Sequence, residues 1–292
     1  MRNKLLVFIA IALVVASCHK TANKAADNTA KTGESTAIAT TEYCYTDSSR
    51  YSKVELTISL PDSTSAATAA MRTTLLDKLY EIWSRVGVWE GDTRLMASYD
   101  AKHLDVHKAV NYYGKCLGTY FTENAIEDNL LTGREYIMNW EYSSNLQKLY
   151  ETENFVTFYS QDYSFMGGAH GSIGGAGYLT FDKTNGALLE DFFVPNAAKA
   201  MQPLLRKGIC QYYKECGVTV TEEELPGYLL IDSQDIPLPA WAPCPDTAGL
   251  TLLYQQYEIV CYADGMVTFT IPYSEVAPYL TNKAKQVIGL KP

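Results

Sequence analysis

Between 51 and 61 every second residue is apolar: Val54, Leu56, Ile58 and Leu60 alternate with polar neighbours. That period of two predicts a strand with one buried face. Pro61-Asp62 ends the run, and Ser63-Thr64-Ser65 offers a cap for a helix over 66–85, where Leu75, Leu79, Ile82 and Trp83 fall at helical spacing. A second helix is predicted over 94–117. The runs 136–150 and 155–163 read as an antiparallel strand pair joined near Glu151-Thr152-Glu153. Two more strands, 178–184 and 187–192, flank Asn185-Gly186, a pair that suits a type I′ hairpin turn because both central residues there need φ > 0. A helix over 195–213 follows, with Leu204, Leu205 and Ile209 on one face, then a short helix at 221–225. Strands are predicted at 227–232, 250–257 and 266–271, and Ser274 caps a last short helix ending near Leu280. Helices and strands in mixed order, without regular βαβ alternation, predict an α+β fold. The expected architecture is a mainly antiparallel sheet packed with helices, in two closely associated subdomains.

The amino terminus follows a different pattern. Arg2 and Lys4 precede an apolar run over 5–15, too short to span a bilayer comfortably, and the run leads into Val15-Ala16-Ser17-Cys18. Small residues before a cysteine at the end of such a run are similar to a bacterial lipobox. Residues 1–17 are therefore read as a lipoprotein signal peptide and Cys18 as the acylated residue. Several acyl chains would hold the protein at a membrane where one would not. His19-Lys20-Thr21 carries no acidic residue directly after Cys18, which favours a periplasm-facing protein in the cell envelope. Residues 18–42 hold few large apolar side chains and read as a flexible tether of roughly 25–30 Å root-mean-square span. The folded body is then divided into 43–150 and 151–292.

Charge narrows the partners. With 33 acidic against 24 basic residues the net charge is −9, which disfavours nucleic acid. Besides Cys18 there are Cys44, Cys116, Cys210, Cys216, Cys244 and Cys261; an oxidising compartment would permit disulfides, and Cys210 and Cys216 are close enough to bridge a helix end. No C-x2-C pair suggests zinc.

The densest signal lies at 163–182, where strand-like runs flank a glycine-rich stretch containing His170. Glycine at this density implies backbone with φ > 0 or in very close contact with something else. Four motifs carry a resemblance: Gly167-Gly168-Ala169-His170-Gly171; Phe181-Asp182-Lys183-Thr184-Asn185-Gly186; Leu189-Glu190-Asp191-Phe192; and Tyr257-Glu258-Ile259 with Tyr262-Ala263, Gly265 and Ile271-Pro272-Tyr273. In this order they resemble the C-terminal extracellular domain shared by RsiV-type anti-sigma factors and PdaC-type envelope proteins. That resemblance implies a fold and a recognition role, with a cell-wall fragment or a lysozyme-like protein as partner. The chain lacks a cytoplasmic segment of the anti-sigma design and a stretch long enough for a deacetylase domain.

The residues offer three candidate chemistries. His170 could act as a general base oriented by Asp162, Asp182 or Asp191, with Ser164 or Ser172 as nucleophile, but no G-x-S-x-G elbow accompanies it; alternatively it bonds the loop backbone and holds the strands in register. His103 and His107 share a helix face, yet Leu104 stands where a zinc peptidase needs Glu. The 22 tyrosines, among them Tyr112, Tyr113, Tyr212, Tyr213, Tyr254, Tyr257 and Tyr262, could form a sugar- or protein-binding surface. The expectation is a non-catalytic binding protein, without cofactor or metal, whose ligand site includes Gly167, Gly168, His170, Gly171 and Asp182. The competing expectation is an envelope hydrolase or deacetylase-like enzyme using His170.

Overall fold

The computed structural model describes residues 37–86, 105–133, 137–168, 170–232 and 234–290, with the backbone alone over 172–176. The expected signal peptide, Cys18, His103, Leu104 and Ala169 lie outside the described residues. Strands β1 (Thr40–Ser48) and β2 (Ser52–Pro61) form an antiparallel hairpin. The body therefore begins before 43: Ile38 is buried, its N–H donates to Glu151 Oε1 (2.8 Å), and its carbonyl accepts from Lys148 Nζ (2.8 Å).

Helix α1 (Ala66–Arg85) forms where the spacing predicts it. Ser65 Oγ accepts the Thr68 N–H (3.1 Å) while Thr68 Oγ1 accepts the Ser65 N–H (3.0 Å), a reciprocal cap that satisfies two otherwise unpaired donors. Helix α2 (Val106–Thr132) runs well past the expected end at 117, because Tyr120, Phe121 and Ala125 extend its buried stripe until Gly133 (φ 57°) ends it. The expected first turns, 94–104, lie outside the described residues.

Strands β3 (Trp140–Glu151), β4 (Phe155–Phe165) and β5 (Ser172–Asp182) complete a five-stranded sheet in the order β1-β2-β3-β4-β5. Every pair is antiparallel except β2–β3, whose parallel pairing is allowed by the long α1–α2 crossover. Both helices contribute to a core on one face, with Leu56, Ile58, Trp83, Tyr113, Phe121, Phe158 and Phe181 fully buried.

The rest of the chain builds a second core. Helices α3 (Ala197–Ala200) and α4 (Gln202–Glu215) precede β6 (Cys244–Pro245), β7 (Gly249–Leu253) and β8 (Thr268–Pro272), an antiparallel three-stranded sheet. Short helices α5 (Tyr273–Val276) and α6 (Asn282–Ile288) close it. Leu205, Ile209 and Tyr213 of α4 pack with Leu250, Phe269 and Ile271. The fold is thus α+β, mainly antiparallel, in two closely associated parts. The boundary drawn at 150/151 does not separate the two cores. It falls at the turn between β3 and β4, which pair along most of their length, and Phe155 of β4 joins the second core while Val156 and Phe158 join the first.

Several local expectations are corrected. The turn at 183–186 is wider than a type I′ turn: Gly186 has φ 75° but Asn185 does not have positive φ, and the Gly186 N–H reaches back to the Asp182 carbonyl (2.8 Å). The segment 227–232 makes one bridge, Leu229 with Val260, instead of a strand, and its pairing with that neighbour stops there. Ser274 sits inside α5 and caps nothing; the side-chain cap near the end is Thr281, at the start of α6. Cys210 and Cys216 are free thiols and do not bridge the helix end.

Candidate functional site

The connection between β4 and β5 is shorter than the glycine count suggests. It spans 166–171, and the later glycines of the run belong to β5 itself. Gly167 and Gly168 take φ 87° and 84°, a left-handed pair that turns the chain sharply and that side chains resist. Past this turn His170 is exposed.

Its partners come from the second part of the molecule. The His170 ring stacks on Tyr262, with centroids 4.1 Å apart and planes 11° from parallel. Its Nδ1 lies 3.2 Å from the Tyr257 hydroxyl, and Tyr257 lies 5.8 Å from Tyr262 between centroids. Tyr163 of β4 borders the group: a side chain at Gly171 would strike its ring. Burial, together with the charges of Glu141 and Tyr262, pushes the Tyr163 phenol above its usual range, so it is a neutral hydrogen-bonding group at ordinary pH.

Tyr257 has φ 64°, a conformation that a bulky aromatic residue rarely adopts. The turn holding it is tied by Glu258, whose carboxylate accepts the Gln255 N–H (2.7 Å) and the Ala240 N–H (2.7 Å). The strained residue is 56% exposed, so core packing does not account for the strain; strain of this kind is characteristic of binding sites.

The expected site residues divide accordingly. Gly167, Gly168, His170 and Gly171 stay together, whereas Asp182 stands at the other end of β5, roughly 33 Å away along an extended strand. There its carboxylate holds the turn, accepting the Thr184 N–H (2.8 Å) and hydroxyl (2.6 Å). Asp191 lies beyond that turn. Asp162 points into the core, on the same face as Tyr142 and Ser144. None of the three carboxylates is hydrogen-bonded to His170, nor is Ser164; the Ser172 side chain lies outside the described residues. The arrangement of a base with an orienting acid and a hydroxyl is not assembled among the described residues. Among these residues the side-chain hydrogen bond of His170 is to Tyr257, with none to the loop backbone, the other expected role. Among the described residues no group of three or more His, Cys, Asp or Glu side chains could hold a metal ion, and no helix is long and apolar enough to cross a membrane.

Tyr257 and Tyr262 were legible as aromatic candidates, but their meeting with His170 was not. Tyr163 and Trp241 carried no signal of their own. Trp241 packs edge-on near Tyr159, with centroids 6.4 Å apart, at the place where Gly177 lacks a side chain.

Comparison with known proteins gives the setting. Residues 190–274 match a family described as "Protein of unknown function (DUF3298)". A crystal structure of a DUF3298 family member from Bacteroides fragilis is similar in fold, with a TM-score of 0.61 at 19% identity over 87% of this chain and 96% of that one. A DUF3298 family protein from Pseudomonas aeruginosa is similar with a TM-score of 0.53 at 15% identity, over 85% and 96% of the two chains. Among curated proteins none matches.

Proposed function

We propose that this chain is a lipid-anchored envelope protein, facing the periplasm, that binds a cell-wall fragment without chemistry of its own. The observation that carries the reading is the exposed platform of His170 on Tyr262 with the strained Tyr257 beside it. The flat outer faces of such a stacked and tilted aromatic group suit the apolar face of a sugar ring, while the phenol and imidazole can hydrogen-bond its hydroxyls. The anchor rests on the basic residues, apolar run and Cys18 of the first 18 residues. Resemblance of the loop to envelope recognition domains supports the same setting, and the alternative partner it implies is a lysozyme-like protein.

The test uses the body from residue 36 onward, so that the Ile38 contacts are kept. Muropeptides, polymeric peptidoglycan and lysozyme are titrated against it and against His170→Ala and Tyr262→Ala variants. Saturable muropeptide binding, weakened about three- to tenfold by either variant, is the expected outcome. Binding to lysozyme alone would replace the glycan by a protein partner. Turnover of peptidoglycan that depends on His170 would overturn the proposal in favour of an enzyme.

A further inference from the structure

A second feature lies away from this platform. A cleft of about 440 Å³ opens beside the outer edge of β5, between Lys78 of α1, the segment 188–193 and the segment 238–243. This volume is within the range of small-ligand and short-peptide sites, roughly 300–1,000 Å³.

β5 is the last strand of its sheet. Among the described residues its outward backbone groups are paired only at the far end: the Thr180 carbonyl accepts the Leu189 N–H (2.8 Å), and the Asp182 N–H donates to the Ala187 carbonyl (3.0 Å). In a regular antiparallel ladder the Thr180 N–H would return a bond to the Leu189 carbonyl. That bond is absent, so the chain peels away from β5 at Leu189, where the cleft begins. By the two-residue repeat, Tyr178 presents its N–H and C=O on the same edge, and no backbone group among the described residues pairs with them there. An open strand edge beside a cavity is a template for one more strand.

The walls define what such a strand would carry. Leu238, Pro239 and Trp241 make one side apolar. On the rim Glu190 and Asp191 are exposed, and their carboxylates have no ion-pair partner among the described residues. Among the described residues Lys78 is the single cation lining the cleft, so two carboxylates outweigh it in a protein of net charge −9.

We propose that this cleft binds a short extended peptide of basic, alternating character by adding it to the open edge of β5. Three or four residues, about 10–13 Å of strand, occupy it. The peptide backbone pairs with the outward N–H and C=O of Tyr178, which lines the cleft. Apolar side chains on one face pack toward Trp241, and a lysine or arginine on the other meets Glu190 and Asp191.

The experiment titrates the full-length protein with a blocked hexapeptide of alternating lysine and valine, followed by calorimetry. Three controls are an alternating glutamate–valine peptide, the lysine peptide N-methylated at every second residue in each of the two phases, and a Glu190→Gln/Asp191→Asn double variant. The expected result is saturable binding of the lysine peptide, weakened about tenfold by N-methylation in one phase and about tenfold by the double variant. Salt should weaken it further, since rim charges are screened. Failure of the lysine peptide to saturate at millimolar concentration overturns the proposal. So does unchanged affinity for both N-methylated peptides, because edge pairing would then play no part. Unchanged binding by the double variant, or equal binding of the glutamate peptide, overturns the basic specificity.

Discussion

Asp162 lies in the first core with 7% of its surface exposed, and neither carboxylate oxygen has a hydrogen-bond partner among the described residues. Burial pushes its pKa up to about 6, against the smaller opposing pull of the nearby Ser144 and Tyr142 hydroxyls, which lie close without completing a hydrogen bond. The folded state therefore holds this proton more tightly than the unfolded chain, where an aspartate ionises near 3.9. Stability from this group is greatest in acid and falls as pH rises from about 4 through about 6, by roughly 3 kcal/mol in all. Asp162→Asn, which keeps shape without a charge, should be close to wild type at pH 4 and more stable at pH 7.5. Thermal unfolding of both proteins across that range is the measurement, and parallel pH profiles would refute the assignment. Asp162 was legible in sequence only as a possible partner of His170. Its true setting depends on which face of β4 it occupies, which the irregular stretch around Ser160–Asp162 blurs.

Periodicity served the elements unevenly. α1 and β2 stand where their spacing placed them, because each presents a single clean stripe to one core. α2 was underestimated, since glycines at 114 and 118 interrupt a pattern that propensity alone would call weak. The structure supplies the reason for the first of these: a Cβ at Gly114 would lie 2.3 Å from the Tyr45 ring, so the helix needs a gap to lie against β1. Propensity alone predicts that Gly114→Ala stabilises the helix by about 1 kcal/mol. Overpacking against Tyr45 reverses the sign, and a net loss of about 1–2 kcal/mol is expected in urea denaturation. A stabilised variant would show that Tyr45 swings aside freely. The glycine-rich run misled in a similar way. Three of its members, at 174, 175 and 177, lie in β5, where Gly177 makes room for Trp241 from 64 residues later in the chain.

The two cores share one sheet. Phe155 is buried in the second core, and its neighbours Val156 and Phe158 are buried in the first. Cutting between them removes strand partners from both. The body should thus unfold in a single transition, with tryptophan fluorescence and far-ultraviolet circular dichroism coinciding. Phe155→Ala should lower its stability by about 3–5 kcal/mol without splitting it. Two separated transitions would show that the cores are independent. Local spacing was enough for a fold class, for α1 and β2, and for the aromatic and glycine-rich candidates, because strand and helix periods are written in neighbouring residues. It could not supply the parallel β2–β3 pairing, the open edge of β5 or the partners of His170. Those contacts join residues far apart in the chain, 87 positions in the case of His170 and Tyr257, and they form only when both cores pack against the same sheet.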